Sequence, residues 1–218
     1  MKNIFLALMV VYATSCTAVA GDLLQKRPVK QALSASENPS FESQKMKDWI
    51  IKTGNNNGLP FVILDKKEAK VFVFQADGQM IGAEPALIGS AIGDHSVPGI
   101  GERKLSAILP QERTSPAGRF VASLDRNLQN REILWVDYDA AISLHAVITS
   151  DIKERRAERL ATPTPLDNRI SYGCINVSSG FFKNVIHPTF FGTNGIVYIL
   201  PETRPVLQFF GAYNVDKS

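Results

Sequence analysis

The sequence predicts a mainly β fold with short helices, and three observations lead there. Short runs of branched and aromatic residues (Phe61–Leu64, Val71–Phe74, Phe120–Leu124, Ile133–Tyr138, Gly195–Leu200) recur between clusters of turn formers. No long helical period alternates with them, which sets a Rossmann-type unit aside. An apolar content of 44% with 21% charged residues is that of an ordinary globular chain able to bury one core.

Taken in order, the chain opens with Lys2, an apolar run Ile4–Tyr12 and Ala18-Val19-Ala20 before Gly21. That order of charged, apolar and small residues is a secretory signal, with cleavage expected after Ala20 and a periplasmic destination. The run is too short for a membrane span. A lipoprotein reading would anchor the chain at Cys16, but Ala13 stands where such signals carry Leu. Residues 21–40 are polar, with Pro28 and Pro39, and read as a flexible arm. Phe41–Thr53 carries Phe41, Met46, Trp49 and Ile50 at a loose helical period, stopped by Gly54–Gly58.

The β-rich part follows, with turns at Asp65–Ala69 and Ala76-Asp77-Gly78 and a meander through Met80–Gly82 and Ala86–Ile88. Gly89–Ser106 is rich in glycine and turn formers and is expected as a surface loop; it carries His95, a second candidate for a site. Ala141–Thr149 is a strand with His145 near its middle. Asp151–Ala161 is expected as a charged helix capped by Ser150 and ended by Pro163 and Pro165. It reads either as a solvated excursion or as a flap whose Arg155, Arg156 or Arg159 meets substrate carboxylates. A short helix over Ser178–Ile186, if it starts near Val177, would set its N-terminus beside Cys174. The domain is expected to span residues 41–201, with an irregular tail over 202–218.

The chemistry gathers at Arg169-Ile170-Ser171-Tyr172-Gly173-Cys174-Ile175-Asn176. Of two cysteines, Cys16 lies in the expected signal, so Cys174 is left without a partner. Gly173 lets the backbone pass close to the sulfur. His145, 29 residues upstream, is the natural base, and the Gly173 and Cys174 amides are candidate oxyanion donors. Together they describe acyl transfer through a thioester. A buried inert thiol with an unrelated core histidine is the competing reading. A net charge of +3 with no basic stripe argues against nucleic acid, and three histidines with one mature cysteine suggest no metal or cofactor site.

The strand order, Thr114-Ser115-Pro116-Ala117-Gly118-Arg119-Phe120, His145 and Ser171-Tyr172-Gly173-Cys174-Ile175-Asn176 together resemble the L,D-transpeptidase (YkuD-type) catalytic domain, over roughly Leu59 to Pro201. The resemblance implies a β-sandwich-like domain and a cysteine acyltransferase acting on peptidoglycan stem peptides, with carbapenem-type inhibitors expected to acylate it. Carried over by position, Cys174 is the nucleophile and His145 the base. Gly173 and Ser171 complete the catalytic loop, and Asn176, Tyr172 and Arg169 are the expected substrate-binding residues. Tyr172 and Ala146 depart from the family pattern, and the segment between His145 and Cys174 is longer than usual. The third partner of the histidine is therefore expected to be a backbone carbonyl or Ser171 rather than a carboxylate. Water as acceptor would make the same site a carboxypeptidase or cross-link hydrolase, and a non-catalytic wall-binding protein is the third reading.

Overall fold

The computed structural model describes residues 38–211; the expected signal, Cys16, most of the arm and the last seven residues lie outside them. Among the described residues no helix is long and apolar enough to cross a membrane.

The helix expected at Phe41–Thr53 forms over those residues (α1). Ser40 Oγ accepts from the Ser43 N–H at its start, and Gly54, at φ 65°, ends it by donating to the Ile50 and Ile51 carbonyls. Met46, Trp49 and Ile50 are buried, whereas Phe41, in the first turn, is 76% exposed.

Ten strands follow: β1 Phe61–Asp65, β2 Lys70–Phe74, β3 Met80–Pro85, β4 Ile88–Gly89, β5 Gly118–Arg126, β6 Glu132–Asp137, β7 Ile142–Ala146, β8 Arg169–Ser171, β9 Ile175–Val177 and β10 Gly195–Ile199. Eight of them form one sheet in the order β3-β2-β1-β10-β5-β6-β7-β9, and β4 pairs with β8 in a separate ladder. The fold is mainly β, as the sequence predicts. The long strand β5 turns the corner between two half-sheets. Its first half, Gly118–Ala122, pairs with β10, and Ser123–Arg126 pairs with β6. The halves meet over one core, in which Val62, Val71, Val73 and Val197 face Leu134, Leu144, Ile175 and Val177. A helical segment closes this core, running through α3 (Ser179–Phe181), a π-helical stretch Phe182–Ile186 and α4 (His187–Phe190).

The outer face of the first half-sheet is covered by α1 and by α5 (Val206–Phe209), which bury Phe61, Ile63, Phe72, Phe74 and Tyr198. Part of the tail expected to be irregular is thus a packed helix. Neither helix contributes to the core lining of the second half-sheet, whose outer face carries His145 and Cys174.

Two other expectations change. Residues 151–161 do not form one helix: a turn Ile152–Glu154 is capped by Asp151, not Ser150, and Arg155 breaks the path at φ 51° before α2 (Arg156–Ala161). The glycine-rich stretch from Gly89 is not wholly superficial, because Asp94 is 3% exposed and Ile100 5%. Asp94 is held by Lys66, itself 1% exposed, whose Nζ donates to Asp94 Oδ1 (2.9 Å) and to the carbonyls of Gly93 (2.5 Å) and Ser115 (2.9 Å).

Burial pushes the Asp94 carboxyl up, but hydrogen bonds from Thr203, Lys66 and the Glu202 and Thr203 amides outweigh it and hold its pKa well below the carboxylate range. Its contribution to stability is complete above the unfolded value of about 3.9 and is lost as pH falls through the folded value. Asp94→Asn strips the buried ammonium of its closest countercharge, and we expect a loss of about 3–5 kcal/mol in urea unfolding at neutral pH. The variant should also lose stability less steeply than the parent below about pH 4. Parallel acid limbs in the two proteins would show that Asp94 is not the group being titrated.

Candidate active site

Alternation along two neighbouring strands builds the site. β7 and β9 are parallel, with Leu144 opposite Ile175 and His145 opposite Asn176. Because side chains alternate across a strand, Leu144, Ile175 and Val177 enter the core while Ser143, His145, Cys174 and Asn176 share the outer face. The histidine and cysteine expected to meet are thereby brought onto one face, close enough that each shifts the titration of the other.

The ring is held from its far side. His145 Nδ1 lies 2.9 Å from the Ala146 carbonyl oxygen, which can only accept, so Nδ1 carries the proton and Nε2 is left for the thiol. The partner is a backbone carbonyl, one of the two alternatives the sequence leaves open. Ser171 does not reach the ring. It is 3% exposed, donates from Oγ to the Cys174 carbonyl (2.6 Å) and accepts from the Gly173 N–H (3.0 Å). The Gly173 amide is therefore engaged within the loop, contrary to the expectation that it serves as an oxyanion donor. The amides of Tyr172 and Cys174 have no hydrogen-bond partner among the described residues.

Gly173 is required where it stands. Its φ is 133°, and a Cβ there would lie 2.7 Å from both Ile142 Cδ1 and the Thr114 carbonyl oxygen. Ser115, 2% exposed, donates to the Gly173 carbonyl (2.7 Å) and accepts from the Gly89 N–H (3.0 Å). The Thr114-Ser115-Pro116 turn is thus the support of the cysteine loop.

Ser143 is the residue the sequence reading missed. Its Oγ lies 3.7 Å from Cys174 Sγ, and its position two residues before His145 was the available signal, since i and i+2 share a strand face. The sulfur also lies 3.6 Å from the Ala141 carbonyl. Burial pushes the thiol pKa up, but hydrogen bonding and charge from His145, with bonds from the Ser143 amide and hydroxyl, outweigh it and lower it. For His145, burial presses downward, but its bond to Cys174, the thiolate charge and the Ala146 carbonyl outweigh it and raise the pKa, against opposition from Arg156. Both shifts favour a thiolate–imidazolium pair, which titrates as a unit.

The remaining expected residues fall into two groups. Tyr172 and Cys174 line a cavity of about 90 Å³ with Ile100, Arg103, Ile108 and Ile142, and the Arg113 guanidinium lies 4.1 Å from the Tyr172 ring centroid. Asn176 and Arg169 are turned away from it. Asn176 is fully buried, donating to the Cys174 carbonyl (3.2 Å) and accepting from Arg156 Nη1 (2.7 Å). Arg169 pairs with Glu202 and donates to the Lys66 carbonyl. His95 is exposed, and its ring meets Arg204 at 2.6 Å instead of the thiol. In the insert, Arg156 and Arg159 bond to the chain itself, Arg159 to the Glu154 and Asp167 carbonyls, while Arg155 pairs with Glu158 at the surface. The helix after the loop does not abut the thiol. The strand β9 intervenes, about 10 Å of extended chain, and the Glu84 carboxylate caps that helix at the Ser178 N–H and hydroxyl. Among the described residues no group of His, Cys, Asp and Glu is placed to hold a metal ion.

No family model and no curated sequence matches the chain. Solved structures that it resembles include the LD transpeptidase LdtMt1 in complex with imipenem and the L,D-transpeptidase from Xylanimonas cellulosilytica. Identity is 13% in both, with TM-scores of 0.38 and 0.39. The overlaps cover 65% of this chain and only 58% and 60% of those proteins.

The lowered thiol pKa gives a direct test. Cys174 should be alkylated by iodoacetamide with a midpoint below the value of about 8.5 of a free cysteine, and His145→Ala should move that midpoint up. An unchanged midpoint in the variant would mean that the ring does not stabilise the thiolate.

Proposed function

We propose that this protein is a cysteine acyltransferase of the L,D-transpeptidase kind, acting on peptidoglycan stem peptides in the periplasm. The observation that carries the reading is a thiol and an imidazole that share one sheet face and shift each other's titration, with the ring's Nδ1 fixed by a backbone carbonyl. The loop motif and the export signal in the sequence support the substrate and the compartment. The geometry suits the following steps. His145 takes the thiol proton, and the sulfur adds to the amide carbonyl carbon of the donor stem. The Tyr172 and Cys174 amides are the donors left to meet the oxyanion. When the C–N bond breaks, His145 returns its proton to the leaving amine and a thioester remains. An incoming amine then loses a proton to His145, attacks the thioester and releases the thiolate. Water in place of the amine would give hydrolysis.

A carbapenem should add one acyl group per chain, lost in Cys174→Ser. With a disaccharide tetrapeptide, His145→Ala should lose about 10²–10⁴ in rate while remaining folded. His95→Ala should lose far less. Acylation surviving Cys174→Ser in intact-mass spectra, or a larger loss at His95 than at His145, would overturn the assignment. Incubation with and without a second stem distinguishes amine from water by product mass.

A further inference from the structure

The outer face of the second half-sheet bears an aromatic pair that the chemistry above does not use. Trp135 on β6 pairs with Ser143 on β7, and Ser143 in turn neighbours Cys174. At about 4.8 Å per strand, the three lie in one row with the indole about 10 Å from the nucleophile. Tyr138 stacks on Trp135, with ring centroids 4.7 Å apart and planes 24° from parallel, and is 61% exposed.

The pair is fixed in place. Asp137 Oδ1 accepts from the Asp139 and Ala140 amides, Ala141 closes the turn at φ 53°, and its amide donates to the Tyr138 carbonyl. Gly101 of the opposing loop approaches so closely that a Cβ would lie 2.5 Å from the Asp139 carbonyl oxygen. The same turn runs straight into the catalytic cavity, where Ala140 and Ala141 form part of the wall and the Ala141 carbonyl meets the thiol. A rigid, exposed aromatic surface continuous with the reaction centre is placed to receive the far end of the substrate.

We propose that Trp135 and Tyr138 form a subsite for the amino-sugar ring that carries the stem peptide, an assignment that rests on the stem-peptide reading above. If a tetrapeptide donor is cleaved before its terminal residue, the acyl carbon belongs to the third residue, and three residues and the lactyl link separate the sulfur from the sugar. Extended, the three residues alone reach about 10–11 Å, so a bent stem with its lactyl link covers the roughly 10 Å of the row. A pyranose presents a flat array of C–H groups to the ring faces and polar groups at its edge, and Ser123, opposite Trp135 on β5, and Asp137 supply polar partners there. The subsite makes the enzyme one that prefers stems still attached to glycan over free peptides.

The test compares disaccharide tetrapeptide with free tetrapeptide. kcat/KM is measured for the parent, Tyr138→Ala and Tyr138→Phe, and binding by calorimetry in a Cys174→Ser background. The free peptide divides out any effect on the chemistry itself. The parent should favour the glycan-linked stem, and Tyr138→Ala should shrink that preference about three- to tenfold. Tyr138→Phe, which keeps the stacking face, should retain it. No preference in the parent, or a preference unchanged in Tyr138→Ala, would overturn the subsite. If neither stem is turned over, the stem-peptide reading fails on its own. The calorimetric ratio still decides whether the aromatic pair holds the sugar.

Discussion

The site depends on one buried cation. The Lys66 ammonium lies beneath the surface at the end of the first hairpin, against the Asp94 carboxylate, the Gly93 and Ser115 carbonyls and, at 3.4 Å, Glu202. Taking an ammonium out of water is costly, and only several well-placed partners offset it. Those partners come from segments that lack the means to order themselves. The stretch 89–101 is rich in glycine, and 202–205 is irregular. Fixing each backbone residue costs about 1–2 kcal/mol of entropy, and few apolar side chains in these segments repay it. The network replaces that missing burial. Asp94 also accepts from the Glu202 amide and from Thr203, Glu202 accepts from the Gly93 N–H, and Arg169 pairs with Glu202.

From this clamp the constraint passes to the Cys174 loop in two short steps. Lys66 fixes the Ser115 carbonyl, and Ser115 Oγ fixes the Gly173 carbonyl. On the other side Arg169, at the start of β8, is drawn to the Lys66 carbonyl and Glu202. Both ends of the loop that presents Cys174 are therefore referred to one point in the fold. A rotation of the loop would break the Ser115 bond and press its backbone at Gly173 toward the closely packed Thr114 carbonyl.

Much of this was legible in the sequence where the determinants are local. The first helix and hairpin appear at the expected residues because a helical period ends at Gly54 and two β-rich runs flank a polar turn. The Cys174 loop was legible because Gly173 adjoins a cysteine left without a partner, a pattern that suits a nucleophile held on a tight turn. The clamp was not. Lys66 and Asp94 read as ordinary turn and loop charges, and only long-range contact between residues 28 apart gives them a role. The split at Arg155 was equally hidden, because a residue other than glycine at φ 51° follows from the bonds of its neighbours and not from its own propensity. The engagement of the Gly173 amide was concealed by Ser171, whose hydroxyl is a plausible partner for either the histidine or the loop.

The segment between His145 and Cys174 meets the site through Arg156. α2 begins at Arg156, whose guanidinium bonds Asn176 Oδ1 at 2.7 Å and Glu154 Oε2 at 2.6 Å. Asn176 is the register partner of His145, so the insert sets a cation beside the pair β7 and β9. Its field opposes protonation of His145, while the thiolate favours it. Arg156 is the smallest of these influences, and its pairing with Glu154 limits how far its charge reaches. Tuning the histidine by a neighbouring arginine is compatible with a carbonyl on Nδ1. A carboxylate there would hold the imidazolium more strongly and call for a larger opposing charge.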